Sequence, residues 1–112
     1  MAVVEVVVVP LGTGSPSVSK NVARAVRVLE KEKDLRYQST AMGTIIEGDL
    51  DKILVAIRKM HETMFSDEVM RVETSIRIDD RRDKPLSAEG KLEALLNELG
   101  ESDEYFGGEP WW

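Results

Sequence analysis

The sequence contains no cysteine in its 112 residues, which excludes disulfides, thiolate metal sites and cysteine nucleophiles. It has one histidine, His61, so a multi-histidine metal site or a histidine-dependent triad lacks members. Aromatic residues are few, at 5%, and apolar burial must come mainly from aliphatic side chains. The longest apolar run, Val6 to Val9 with its neighbours, is far too short to span a bilayer. No basic segment followed by an apolar stretch and small-residue cleavage site opens the chain, so a cytoplasmic location is expected. Positive charge is also in deficit. Against 21 Asp and Glu there are 15 Lys and Arg, giving a net charge of -6 and an isoelectric point near 4.8. Such a surface repels phosphate, so neither nucleic acid nor an anionic membrane is an expected partner.

What is present suits one globular domain: 42% apolar and 32% charged residues on a chain too short for two cores. Ala2 to Val9 reads as a β-branched strand, apolar on both faces apart from Glu5 and ended by Pro10. A Gly/Pro turn follows, and Ser17 or Ser19 is expected to cap a helix whose stripe is Val18, Val22, Ala25, Val26 and Leu29. Arg36 to Ala41 and Thr44 to Glu47 read as two strands joined through Met42 and Gly43. Asp49 is a good cap for a second helix with the stripe Leu50, Ile53, Leu54, Ile57, His61 and Met64. Met70 to Asp79 alternates cleanly, with Val72, Thr74, Ile76 and Ile78 on one side. Ser87 caps a third helix carrying Leu92, Leu95, Leu96 and Leu99, and Gly100 stands at its C-cap.

This order gives an α+β fold, the ferredoxin-like split βαβ sandwich (βαββαβ), with an added C-terminal helix. Residues 1–100 form the expected domain, and residues 101–112 an acidic tail containing Tyr105, Phe106, Trp111 and Trp112. Both main helices fall on one sheet face. An apolar first strand then requires a cover on the other face, from the third helix or from a second subunit.

Candidate chemistry is sparse. Gly12-Thr13-Gly14-Ser15 precedes a helix, where free N–H groups attract anions. It lacks the third glycine of a dinucleotide fingerprint and the lysine of a P-loop, and a plain turn explains it. No cofactor and no metal is expected. Glu5 and Glu47 are strand carboxylates among apolar residues and need partners. Arg71 or Arg77 across the bare face is one reading; a cationic or amino-bearing ligand is the other. Asp79 to Lys84 mixes charges and reads as a solvated turn, although Arg81 and Arg82 have the chemistry to grip a carboxylate or phosphate. His61 reads as a packed or capping residue.

Three stretches go beyond generic fold features: Val8 to Ser19 (VVPLGTGSPSVS), Tyr37 to Gly48 (YQSTAMGTIIEG) and Arg71 to Lys84 (RVETSIRIDDRRDK). Together they resemble the short-chain thiamine-binding protein family of the YkoF type, over roughly residues 2 to 99. The resemblance implies a ferredoxin-like subunit assembled through its sheets as a homo-oligomer, a dimer of dimers. It also implies binding of thiamine or its hydroxymethylpyrimidine part without chemistry, hence no enzyme. The matching polar positions are Thr13, Ser15 and Ser19, then Tyr37, Thr40, Thr44 and Glu47, with Met42 as an apolar wall. Ala41 departs from the family, where proline is frequent, and the aromatic tail lies outside its pattern. The competing readings are a structural or regulatory oligomer with no small ligand and, lowest, an enzyme using carboxylates.

Overall fold

The computed structural model describes residues 1–100; the tail at 101–112, and with it the expectation that Trp111 and Trp112 dock on a neighbour, lies outside the described residues. The elements run β1 (Ala2–Leu11), α1 (Ser19–Glu30), β2 (Arg36–Ser39), β3 (Thr44–Gly48), α2 (Leu50–Thr63), β4 (Arg71–Asp80) and α3 (Ala88–Leu99). The strands form one antiparallel sheet in the order β2-β3-β1-β4. This is the expected ferredoxin-like architecture with an added helix.

Strand parity organises the core. Val4 and Val6 of β1 and Ile46 of β3 point to the side where Leu29 of α1 and Ile53 and Met60 of α2 close over them. Each fully buried aliphatic side chain of this kind contributes ~1.5–3 kcal/mol. The opposite face carries Val3, Glu5, Val7 and Val9, which are half-buried or exposed. α3 reaches this face through its first turns: Ala88, Lys91 and Leu92 stand beside Val3 and Glu5. No residue of α3 is buried, and Leu95 and Leu99 of its stripe face solvent.

β1 runs two residues further than its sequence suggests, through Pro10, which pairs with Val72. β3 accompanies β1 only from Ala2 to Val6. Beyond Val6 one side of β1 has no strand beside it, and a proline nitrogen tolerates that side because it has no hydrogen to leave unpaired. Asp49 caps α2 by accepting from the Lys52 N–H, and Ser87 caps α3 by accepting from the Gly90 N–H, both as expected. Gly100 takes the left-handed C-cap conformation, φ 77°. The start of α1 differs from expectation. Val18 holds the N-cap position with no side-chain cap bond, and Ser19 is already helical. Val18 is half-buried and lines the space between α1 and β1.

Candidate functional site

The unequal lengths of β1 and β3 leave a notch in the sheet. Val7, Val8 and Val9 extend past the start of β3, and the four-residue turn Thr40-Ala41-Met42-Gly43 fills only part of the space. α1 roofs the notch with Val18, Val22, Ala25 and Val26, and Met60 of α2 closes its inner end. The result is a cavity of about 240 Å³ with aliphatic walls and a hydroxyl-bearing side formed by Ser39, Thr40 and Thr44. Thr44, 5% exposed, is the buried polar side chain among the described residues. A shallower groove continues outward along α1, past Ser17, Ser19, Arg27 and Glu30, and shares Val18, Val22, Val26 and Ser39 with the cavity.

The turn is held by its own chemistry. The Thr40 hydroxyl donates to the Gly43 carbonyl (3.0 Å) and accepts from the N–H groups of Met42 (3.2 Å) and Gly43 (3.1 Å). Thr40 therefore shapes the cavity rim and has little capacity left for a ligand. Gly43 is needed because the turn lies on β1: a Cβ there would sit 2.9 Å from the Val6 carbonyl oxygen and from a Val7 methyl. Met42 projects from the rim, 80% exposed.

Of the eight positions singled out in the sequence, Thr40, Met42 and Thr44 line the cavity and Ser19 lines the adjoining groove. Thr13 and Ser15 do not. The Thr13 hydroxyl donates to the Ser15 carbonyl (2.8 Å), and the Ser15 hydroxyl accepts from the Ser17 N–H (3.2 Å), so both belong to a self-bonded loop. Tyr37 lies opposite Ile46 on the helix side of edge strand β2 and is absent from the cavity wall. Glu47 is on the other face of the sheet. It stands three residues from Thr44 on the same strand, and an odd separation reverses the side-chain direction. There its carboxylate accepts from the Ala88 N–H (3.3 Å) at the start of α3 and lies 4.0 Å from Arg36.

Comparisons with known proteins give the family and the fold. The sequence profile of the thiamine-binding protein family matches residues 4–96. The chain belongs to that family. A UPF0045 protein of Methanocaldococcus jannaschii, MJ1052, is 48% identical over 93 residues, covering 83% of this chain and 90% of the relative. The UPF0045 protein YqgV of Bacillus subtilis is 43% identical over 102 residues, covering 88% and 98%. The crystal structure of MJ1052 superposes with a TM-score of 0.77 over 84% of this chain and 94% of that one. A domain of unknown function from Bacillus cereus, 27% identical, gives a TM-score of 0.70 over 80% and 85%.

Within this thiamine-binding family member, the other charged and polar groups are matched locally. Glu5 lies 3.8 Å from Arg77, one of the two ion-pair partners anticipated for it. Arg82 pairs with Asp80, and Arg81 makes a two-pronged contact with Asp83, holding that carboxyl below the usual carboxylate range. The Nδ1 atom of His61 is 2.7 Å from the Thr74 hydroxyl, and the ring meets Phe65 edge-on, which makes it a packed residue joining α2 to β4. What the sequence did not single out is the aliphatic wall and Ser39. Val18, Val22 and Val26 read as an ordinary core stripe, yet Val22 is 39% exposed because the cavity lies where the core would be. Glu47→Ala is expected to cost ~0.5–1.5 kcal/mol by releasing the first turn of α3. It should leave ligand affinity unchanged, as paired denaturation and calorimetric titrations will show.

Proposed function

We propose that this protein binds thiamine or its hydroxymethylpyrimidine moiety without altering it, as an oligomeric carrier or sensor in the cytoplasm. The observation that carries this reading is the notch cavity, with aliphatic walls and hydroxyls gathered on one side. At about 240 Å³ it is smaller than the ~300–1,000 Å³ of pockets that enclose drug-sized ligands. It therefore suits one heteroaromatic ring, not the whole of thiamine. The aminopyrimidine goes inward, with the Thr44 and Ser39 hydroxyls toward its ring nitrogens and amino group, and Val8, Val22 and Val26 around its faces. The cationic thiazolium then lies in the outer groove, where Glu30 supplies a carboxylate and Ser19 a hydroxyl. Membership of the thiamine-binding family supports the same ligand class.

Catalysis is disfavoured by the same wall. Among the described residues no Asp, Glu, Lys, Arg or His lines the inner cavity, so none of them offers the ring a general acid or base there. A second reading, an oligomer with no small ligand of its own, is favoured by the exposed leucines of α3 and the partly open sheet face. Calorimetry and thermal shift with thiamine and with hydroxymethylpyrimidine separate the two. Ligand at a hundredfold excess over Kd should stabilise the fold by ~2.7 kcal/mol. No heat and no shift with either compound at millimolar concentration would leave the ligand-free oligomer. Light scattering is expected to return a mass above that of one chain, with a dimer of dimers as the proposed state.

A further inference from the structure

α1 carries a stripe of uncompensated positive charge. Lys20, Arg24, Arg27 and Lys31 recur at intervals of four, three and four residues, which sets them on one face of the helix and its C-cap. All four are exposed, and among the described residues none enters an ion pair. Arg24 only donates to the side-chain carbonyl of Asn21 (3.1 Å). Against these cations the helix sets one carboxylate, Glu30. On α2 the cations are matched instead: Lys52 with Asp34, Arg58 with Glu62 and Lys59 with Glu32. Arg27 belongs to the wall of the outer groove together with Val18, Val22 and Val26, and Val22 leaves apolar surface open there. A surface both cationic and apolar, on a protein of net charge -6, fits an acidic aromatic partner.

The chain itself holds such a segment. Residues 101–112 include Glu101, Asp103, Glu104 and Glu109, no lysine or arginine, and the aromatic side chains of Tyr105, Phe106, Trp111 and Trp112. Fully extended, a segment of that length spans ~40 Å. The two shorter dimensions of the domain are 31 and 20 Å.

We propose that residues 101–112 dock in the outer groove of α1, with their carboxylates on the stripe from Lys20 to Lys31 and their aromatic rings against Val18, Val22 and Val26 at the mouth of the notch cavity. The two kinds of contact are needed together, because exposed ion pairs contribute little singly and large aromatic rings gain most from burial. Other apolar surfaces fit the segment less well. Beside Leu54 and Val55 on α2, Arg58 and Lys59 already have carboxylate partners. On the sheet face under α3, Arg77 lies near Glu5 and Lys91 pairs with Asp79. Docked on α1, the tail covers the groove assigned to the thiazolium, so a ligand must displace it. That consequence rests on the proposed ligand; the docking does not.

Trp111 and Trp112 are the two tryptophans of the chain, so tryptophan fluorescence of the full protein reports on the tail alone. The emission is expected to lie blue of that of the urea-unfolded chain and to resist quenching by acrylamide. Arg24→Glu combined with Arg27→Glu should move it to the unfolded position, and so should Val22→Asp. Val55→Asp on α2 should leave it unchanged. Arg24 and Arg27 are exposed, and circular dichroism checks that each variant keeps the fold. Changing Asp103 and Glu104 to lysine in the R24E/R27E background should recover the blue shift. Wild-type emission equal to that of the unfolded chain would overturn the proposal. Unchanged emission in either R24E/R27E or Val22→Asp would do the same, by placing the tail on another surface, and so would failure of the lysine rescue. Thiamine titration keeps the two readings apart. Calorimetric binding accompanied by a red shift supports displacement of the tail, whereas binding with no change in emission overturns its placement at the notch. An absence of calorimetric binding counts against the ligand alone, and the variants still decide the docking.

Discussion

Replacing Ile46 by alanine is expected to lower folding stability by ~2–5 kcal/mol. Ile46 is 0% exposed in β3, flanked by Val4 on one neighbouring strand and Tyr37 on the other. Both flanking strands are tied to it by backbone hydrogen bonds, so they have little freedom to move into the space that the lost atoms vacate. The buried cluster around it is built of Ala, Val, Leu, Ile and Met side chains. At ~4–8 °C per kcal/mol for a domain of this size, the melting temperature should fall by ~10 °C or more. Val55→Ala on the outer side of α2, where Val55 is 56% exposed, is the matched control and should stay within ~0.5 kcal/mol. Urea denaturation of both variants checks the pair. Equal losses would mean that the packing seen around Ile46 does not hold the fold.

Val22→Trp is expected to weaken thiamine or hydroxymethylpyrimidine binding at least tenfold, a loss of ~1.4 kcal/mol or more. Val22 lines both the cavity and the outer groove, so an indole at this position occupies the passage between them. Because Val22 is 39% exposed, the larger side chain has room outward, and stability should change little compared with affinity. Thr44→Val is the complementary test. It keeps the shape of the wall and removes one hydroxyl, for an expected loss of ~0.5–1.5 kcal/mol in binding. Calorimetry on both variants, beside thermal melts, separates blocked access from a lost hydrogen bond. If both bind as wild type does, the ligand sits elsewhere on the molecule and the notch is only a packing defect.

The order of strands and helices, the antiparallel sheet and three of the helix ends were set by local chemistry that the sequence displays. Asp49, Ser87 and Gly100 act within one turn of their own positions, so no distant contact was needed to read them. The opposed directions of Thr44 and Glu47 were equally local, since strand parity is a property of the backbone alone. The family resemblance groups the two, and that parity sets them on opposite faces of the sheet. The cap of α1 did not follow local preference: Val18, which lines the space between α1 and β1, stands at the N-cap in place of a serine hydroxyl. Tertiary structure decided the continuation of β1 through Pro10, which depends on β3 ending its pairing at Val6.

The cavity itself follows from a difference in strand length across the sheet, and no segment carries that difference alone. Val22 and Val26 have the spacing of core residues, and the sequence does not show whether a core exists beneath them. Hydrophobic periodicity fixes which side of a helix turns inward. How far the neighbouring strand extends decides whether that side meets packed atoms or open space. Residue type and spacing therefore determined this protein's elements, their order and most of their ends. The place where a small ring fits was decided only when β1 outran β3 under α1, because a void arises from the mismatch of several packed elements and has no residues of its own.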